Sequence, residues 1–362
     1  MRERLPIYLG IFGVMALSNA IVPVLPAFAE GPAFQSSIYS AYFLGAFLTV
    51  LPAGLLSDRI GRMPVIRAGL LCTVASGLLI LALRDPFLVL AARGAEGIGA
   101  GLLVAAAMSW VNTRPDHERI SGEFMASLNL GLVTGLLGSG WIAELLGGER
   151  GGILAFTILS TLPTLLLFYV RESTPRPAQE GDGRGLSPQH LWLYLSAVIL
   201  VGVTGAVTAI YPEFTGESPS SLGMSIATMH LATVVAVLVA SRLRLLPVPT
   251  IRVSAILLTA AVLALAFSPA GFALIGGIVG FVMIAQMAYL AGTGLPQGAV
   301  MGSYNASSYA GMTLLPFMAG ITAERAGFLP AFGVIAALTL SMAVTIGRCG
   351  CDQPSRESKS SG

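Results

Sequence analysis

Charge is scarce in this chain. Of its 362 residues only 10% are Asp, Glu, Lys or Arg, against 55% hydrophobic, and the mean hydropathy is +0.81. A water-soluble domain carries about 25% charged residues. With so few, a chain of this length cannot cover its surface in water, and lipid is the implied solvent. The net charge of +2 gives no sign of nucleic-acid binding, and no basic run is interleaved with aromatics. Three cysteines are too few for a disulfide framework. Cys72 reads as packing, and Cys349-Gly-Cys351 as two free thiols beside the membrane. The chain has no His-x-x-His, no Gly-x-Ser-x-Gly and no paired intramembrane acids. An enzyme, a metal site and a cofactor are therefore not expected. Without a Gly-x-x-x-x-Gly-Lys loop, ATP-driven transport is disfavoured. A sensor would ordinarily add a soluble domain, and none is visible.

What is present is a series of long apolar runs. A helix needs about 20 apolar residues to cross the hydrocarbon core. Runs of that length, bounded by charge, Pro or Gly, fall at 6–28, 36–57, 64–83, 87–111, 121–146, 152–170, 190–212, 222–241, 250–268, 270–292, 298–323 and 328–347. The reading is an all-α integral membrane protein of twelve spans. Sixteen of the 20 Lys and Arg residues then share one side with both termini. Only Arg84, Arg150 and Arg325 lie on the other, and Arg93 is left inside a span. By the positive-inside rule both termini are cytoplasmic, and the expected location is a cell (inner) membrane. Residues 171–189, rich in Pro and Gly, read as a cytoplasmic linker. It joins a six-helix unit at 1–170 to a second at 190–347, with a tail at 348–362.

The halves look related. Gly122, Gly131, Gly135, Leu136 and Gly140 in the fifth run have counterparts in Gly302, Gly311, Leu315, Pro316 and Gly320 of the eleventh, each 180 residues on. Both runs end in Ala-Glu, at Glu144 and Glu324. Gly97-Ile98 matches Gly277-Ile278 at the same offset. Internal repeats are common in transporters, whose substrate sites lie between the repeats near the bilayer midplane. Glycines one turn apart let helices approach closely, and Gly or Pro316 lets a helix bend.

The connection Gly54-Leu-Leu-Ser-Asp58-Arg59-Ile-Gly61-Arg62 resembles the loop signature of the major facilitator superfamily. Arg93-x-x-Glu96-Gly97-x-Gly99 is similar to that family's fourth-helix signature. Gly122, Gly131, Gly135 and Gly140 resemble the fifth-helix signature of its drug–proton antiporters. Pro23-Val-Leu-Pro26 also resembles the drug-efflux branch. Leu136 and Glu96 depart from the pattern, which has proline and glutamine there. The resemblance implies two pseudo-symmetric six-helix bundles that alternate access around a cavity lined by helices one, four, seven and ten. Helices three, six, nine and twelve would face lipid.

Several polar residues fall inside spans, where their cost is tolerated mainly in the protein interior. Arg93 and Glu96, three apart, share a helix face and are the candidates for proton coupling, with Asn19 and His230 as further cavity residues. Tyr39, Tyr42, Asn129 and Asn305 are candidate substrate contacts. Gly97, Gly131, Gly135, Gly140, Gly311 and Pro316 are assigned to packing and flexibility. Gly54, Asp58, Arg59, Gly61, Arg62 and Arg119 form a candidate cytoplasmic gate, in which Asp58 meets Arg62 or Arg119. The corresponding stretch Ser241-Arg242-Leu-Arg244 has no acid. Glu213 and Glu217 are expected to cap the outer end of helix seven in solvent. The expected function is proton-coupled export of hydrophobic or weakly cationic small organic molecules by a monomer driven by the proton motive force. Uptake or facilitated diffusion of a nutrient is the alternative.

Overall fold

A computed structural model describes residues 4–112, 114, 116–170, 190–292 and 297–348. The expected linker 171–189 and residues 349–362, with Cys349 and Cys351, lie outside the described residues. Among the described residues there are twelve α-helices and no strand. They are α1 (Arg4–Ala20), α2 (Pro32–Ile60), α3 (Arg62–Ala82), α4 (Pro86–Asn112), α5 (His117–Leu146) and α6 (Gly151–Phe168), followed by α7 (Leu191–Thr215), α8 (Pro219–Ala240), α9 (Pro247–Leu265), α10 (Gly271–Ala291), α11 (Gln297–Ala326) and α12 (Phe328–Thr345). Ten of them are long and apolar enough to cross a membrane. The 17 residues of α1 rise only about 25 Å. α11 is long enough but interrupts its apolar surface with Ser303, Asn305, Ser307 and Ser308.

Eleven of the expected spans each overlie one helix, with differences at the ends. The first span is not one helix. α1 stops at Ala20, and Val22–Ala27 winds tighter, as a 3-10 turn containing Pro23 and Pro26, residues without an N–H to continue an α-helix. The stretch 54–64 is not a loop. α2 continues through Asp58 and Arg59 to Ile60, and α3 starts at Arg62. Gly61 alone makes the turn, at φ 94° and ψ 157°, a conformation essentially closed to residues with a Cβ.

Successive helices alternate in direction, which defines two faces. One, the arginine-rich face, holds the start of α1, Gly61 and the α8–α9 connection. The other, the arginine-poor face, holds the starts of α2 and α8 and the ends of α5 and α11. Within the first six helices, α2 and α3 pack on α4, and α1 packs on α5 and α6. Within the last six, α7 packs on α11, and α9 and α8 pack on α10. Between the two sets, α2 meets α11 and α7, α5 meets α8, and the 3-10 turn meets α7 and α8.

The buried apolar side chains fall into two clusters. The larger runs without interruption from Leu17, Leu25, Ile38 and Leu136 of the first set into Leu200, Ile226 and Phe332 of the second. The smaller, with Ile7, Met63, Leu103, Trp110 and Phe124, fills the arginine-rich end of the first set alone. The two sets thus share one core at the arginine-poor face, while the first keeps its own at the opposite face. Outward, α6 presents Leu154, Ile158, Leu162 and Leu165 at helical spacing. Exposed apolar rows are not confined to α3, α6, α9 and α12: α2 presents Leu44, Leu48, Leu51 and Leu55.

Candidate functional site

The centre of the site lies where α4 crosses α2. A side chain at Gly97 would collide with the Tyr42 carbonyl, one at Gly45 with the Gly94 carbonyl, and one at Gly101 with the hydroxyl of Thr49. The three glycines bring the two backbones together, as small residues do in membranes. Into this seam α4 projects Arg93 and Glu96. Their side chains are each 1% exposed, and Arg93 Nη1 donates to Glu96 Oε2 at 2.6 Å. The guanidinium carbon lies 4.8 Å from the centroid of the Tyr42 ring, a cation–π distance. One Nη1–Oε2 bond does not satisfy the pair: Arg93 Nε and Glu96 Oε1 are buried without a hydrogen-bond partner. A buried ion pair repays its desolvation only when its remaining donors and acceptors are also bonded. This one is held at a cost, with an open acceptor on the acid.

Beside it lies an aromatic group. Tyr39 and Tyr42 stand 5.2 and 5.0 Å from Phe43, and Phe43 stands 6.3 Å from Tyr309 of α11. Phe43 and Tyr309 thus link the two sets of helices, and Tyr42 links this group to Arg93. Phe43 and Tyr309 were not singled out by sequence, because aromatics at helical spacing look the same whether they fill a core or a cavity. The remaining candidates do not converge on the pair. Asn19 donates to the Met15 carbonyl and the Ser18 hydroxyl, and half-buried Asn129 to the Met125 carbonyl. Asn305 is exposed. His230, on α8, is partly buried and has no hydrogen-bond partner among the described residues. A second buried polar cluster, in which Gln286 donates to Ser196 and accepts from Tyr304, ties α7, α10 and α11.

At the arginine-rich face, Arg62 Nε donates to the Ser109 hydroxyl at 2.9 Å, and that hydroxyl donates to Asp58 at 3.4 Å. Ser109 of α4 is thus the bridge. Arg119 does not meet Asp58: it pairs with Glu123 at 2.9 Å, where Tyr8 also donates. Arg59 is exposed, and a side chain at Gly54 would meet nothing. Arg4 bonds Asp116 at 2.8 Å. Desolvation at the helix end opposes ionisation of Asp116. The Arg4 hydrogen bond and charge, with Arg119 nearby, outweigh it and hold the carboxyl below its ordinary range.

The repeat is visible in the contacts. Gly131 and Gly135 of α5 press on Phe12 and Ala16 of α1, and Gly311 of α11 presses on Val198 of α7. Pro316, inside α11, abuts Gly205. One pairing needs correction. The partner of Gly97 is Gly276, which presses on the Met229 carbonyl of α8, and not Gly277, which faces open space. With that register, Arg93 and Glu96 correspond to Phe272 and Ile275, both fully buried. The charge pair belongs to the first half alone.

Two acceptors at the arginine-poor face escaped the sequence reading, and two others serve differently from the expectation. Glu144 accepts from the Ser220 amide and Glu324 from the Ala33 amide. Glu213, half-buried, accepts from Gln35 of α2 at 2.6 Å, and Glu217 accepts from Ser221 rather than capping α7. The matching Ala-Glu pairs were the available signal for the first two.

The model of the family described as Major Facilitator Superfamily matches residues 7–292. An uncharacterised MFS-type transporter of Mycobacterium tuberculosis is 28% identical over 145 residues, covering 38% of this chain and 21% of that protein. The class C tetracycline resistance protein of Escherichia coli is 26% identical over 212 residues, covering 56% of this chain and 53% of that one. The chain thus spans about half or less of the length of these curated relatives. Among solved structures, a bacterial homologue of the human lysosomal transporter Spinster superposes with a TM-score of 0.79 at 14% identity, covering 96% of this chain and 95% of that one. The nucleoside transporter NupG superposes at 0.77 and 11% identity, covering 96% and 99%.

Proposed function

We propose that this chain, which belongs to the Major Facilitator Superfamily, is a monomeric secondary transporter. It exports small hydrophobic or weakly cationic molecules, and protons drive it through Glu96. The observation that carries this reading is the Arg93–Glu96 pair, 1% exposed and half satisfied. Charge in a membrane interior is costly and marks function more often than stability. The unpartnered Oε1 of Glu96 is a place for a proton. Protonation there neutralises the acid, releases Arg93 from its counter-ion and changes which arrangement of α4 on α2 is favoured. Loss of the proton on the other side restores the pair. A charge crossing about 100 mV contributes roughly 2.3 kcal/mol per cycle.

The distribution of buried clusters supports alternating access. The halves share one buried core toward the arginine-poor face, while the first half keeps a core of its own at the other, as expected of one end of a two-state cycle. With the arginine-rich face in the cytoplasm, this is the inward-facing end. The division into units 1–170 and 190–347 belongs to the same proposal. Export is favoured by the fifth-helix glycines and by the similarity to a tetracycline resistance protein. The aromatic group Tyr39, Phe43 and Tyr309 supplies a surface for a flat or cationic guest.

The test is transport of tetraphenylphosphonium or tetracycline in proteoliposomes with an imposed pH gradient. The gradient should drive accumulation against concentration, and Glu96→Gln should abolish that drive while leaving exchange. Uphill transport unchanged in Glu96→Gln would remove Glu96 from the mechanism.

A further inference from the structure

We infer that Glu144 and Glu324 are the two clasps of a lock on the arginine-poor face, each a side chain of one half capping a helix of the other. Glu144 ends α5, and its carboxylate accepts from the amide of Ser220, the second residue of α8, at 3.2 Å. Glu324 ends α11 and accepts from the amide of Ala33, the second residue of α2, at 3.1 Å. The first amides of a helix have no partner within it and carry its positive end, so a carboxylate there is both bonded and electrostatically favoured. α2 lacks a cap of its own: its N-cap residue is Gly31, at φ 79°, with no side chain to offer. Its free amide is supplied from the opposite half.

Each clasp sits on a contact that only glycine allows. One turn before Glu144, a side chain at Gly140 would collide with the Pro219 carbonyl. One turn before Glu324, a side chain at Gly320 would lie 2.6 Å from the Pro32 carbonyl. The crossing glycine and the carboxylate four residues on make one device, built twice.

The lock closes on a seam that resists closure. Immediately inside it, Gln35 Oε1 and the hydroxyls of Ser36, Ser40 and Thr208 are buried without partners. Gln35 is tied to Glu213 at the rim, and Tyr39 abuts Gly205 deeper in. Along the antiparallel pair α2 and α7, Ser36 and Thr208 lie between those two contacts. Buried polar groups without partners favour any state that admits water. The clasps therefore hold shut a passage whose lining favours opening, and their loss shifts the balance outward.

This inference does not rest on the proton reading, because neither clasp touches Arg93 or Glu96. The test is the distance between spin labels at Glu149→Cys and Ser268→Cys, exposed positions of the two halves on the arginine-poor face. The full chain in nanodiscs is used, with Cys72, Cys349 and Cys351 replaced by serine. Loss of one cap is expected to raise the ratio of long to short distances about fivefold, and loss of both, Glu144→Ala with Glu324→Ala, roughly 25-fold. Thr208→Val with Ser40→Ala is expected to lower the ratio about fivefold. Glu217→Gln, whose bond stays within the second half, should leave it unchanged. If the alanine pair does not fold, the glutamine pair, which keeps an acceptor of the same size without the charge, replaces it and is expected to move the ratio in the same direction. A folded double variant with the distances of the parent, or a Glu217→Gln variant that shifts as far, overturns the lock.

Discussion

At the scale of the residue, Arg93 and Glu96 have the sharpest consequence. Removing one member of a buried pair leaves the other uncompensated, at about 3–5 kcal/mol. Arg93→Ala should therefore lower the midpoint of thermal unfolding in detergent by several degrees. Arg93→Met combined with Glu96→Gln should recover most of that loss, because two uncharged side chains of similar size leave no charge to solvate. A double variant as unstable as Arg93→Ala would show that the packing of Arg93 on Tyr42, rather than its charge, holds α4 in place. The same pair distinguishes stability from transport. The recovered double variant should be stable and unable to respond to a pH gradient.

At the scale of the element, glycine decides how close the helices come and where they turn. Gly61→Ala should cost about 1–3 kcal/mol, because its backbone angles belong to glycine. The measurable result is a lower unfolding temperature with α2 and α3 intact in far-ultraviolet circular dichroism; no change in midpoint would mean that the turn relaxes to angles open to alanine. Gly135→Val should press on Ala16 and separate α5 from α1, whereas Gly54→Ala should have no effect, since nothing lies within reach. The helices themselves were legible in the sequence because spans of about 20 apolar residues leave few alternatives. The one-residue turn at Gly61 was not, because a polar stretch of 54–64 is equally compatible with a loop or with a helix end beside a single glycine. The one-residue slip from Gly277 to Gly276 has a similar cause. Both glycines are identical in sequence, and only the approach of Met229 tells them apart. Arg93 and Glu96 could be found because charge inside a span is rare. Phe43, Tyr309 and Ser109 could not, because apolar rings and serines are ordinary in such helices, and their role depends on which helix lies opposite.

At the scale of the whole molecule, the contacts between α2 and α11 and between α5 and α8 should hold the halves together without a covalent link. Residues 1–176 and 186–362, expressed as two chains with a tag on one, should co-purify from membranes as a pair. Recovery of the tagged chain alone would mean that the intervening segment supplies the association. The geometry at the arginine-poor face also speaks to descent. Glu144 reaches from the first half to the second, and Glu324 returns the same contact from the second to the first. A reciprocal contact is self-complementary, which is what a two-fold axis between identical subunits requires. A single six-helix chain carrying one such glutamate could close a homodimer with both clasps formed. Fusion of two copies would then leave the interface as it was and free each copy to change alone. The unpaired legacy of that freedom is α4, which keeps Arg93 and Glu96 where its twin has only Phe272 and Ile275.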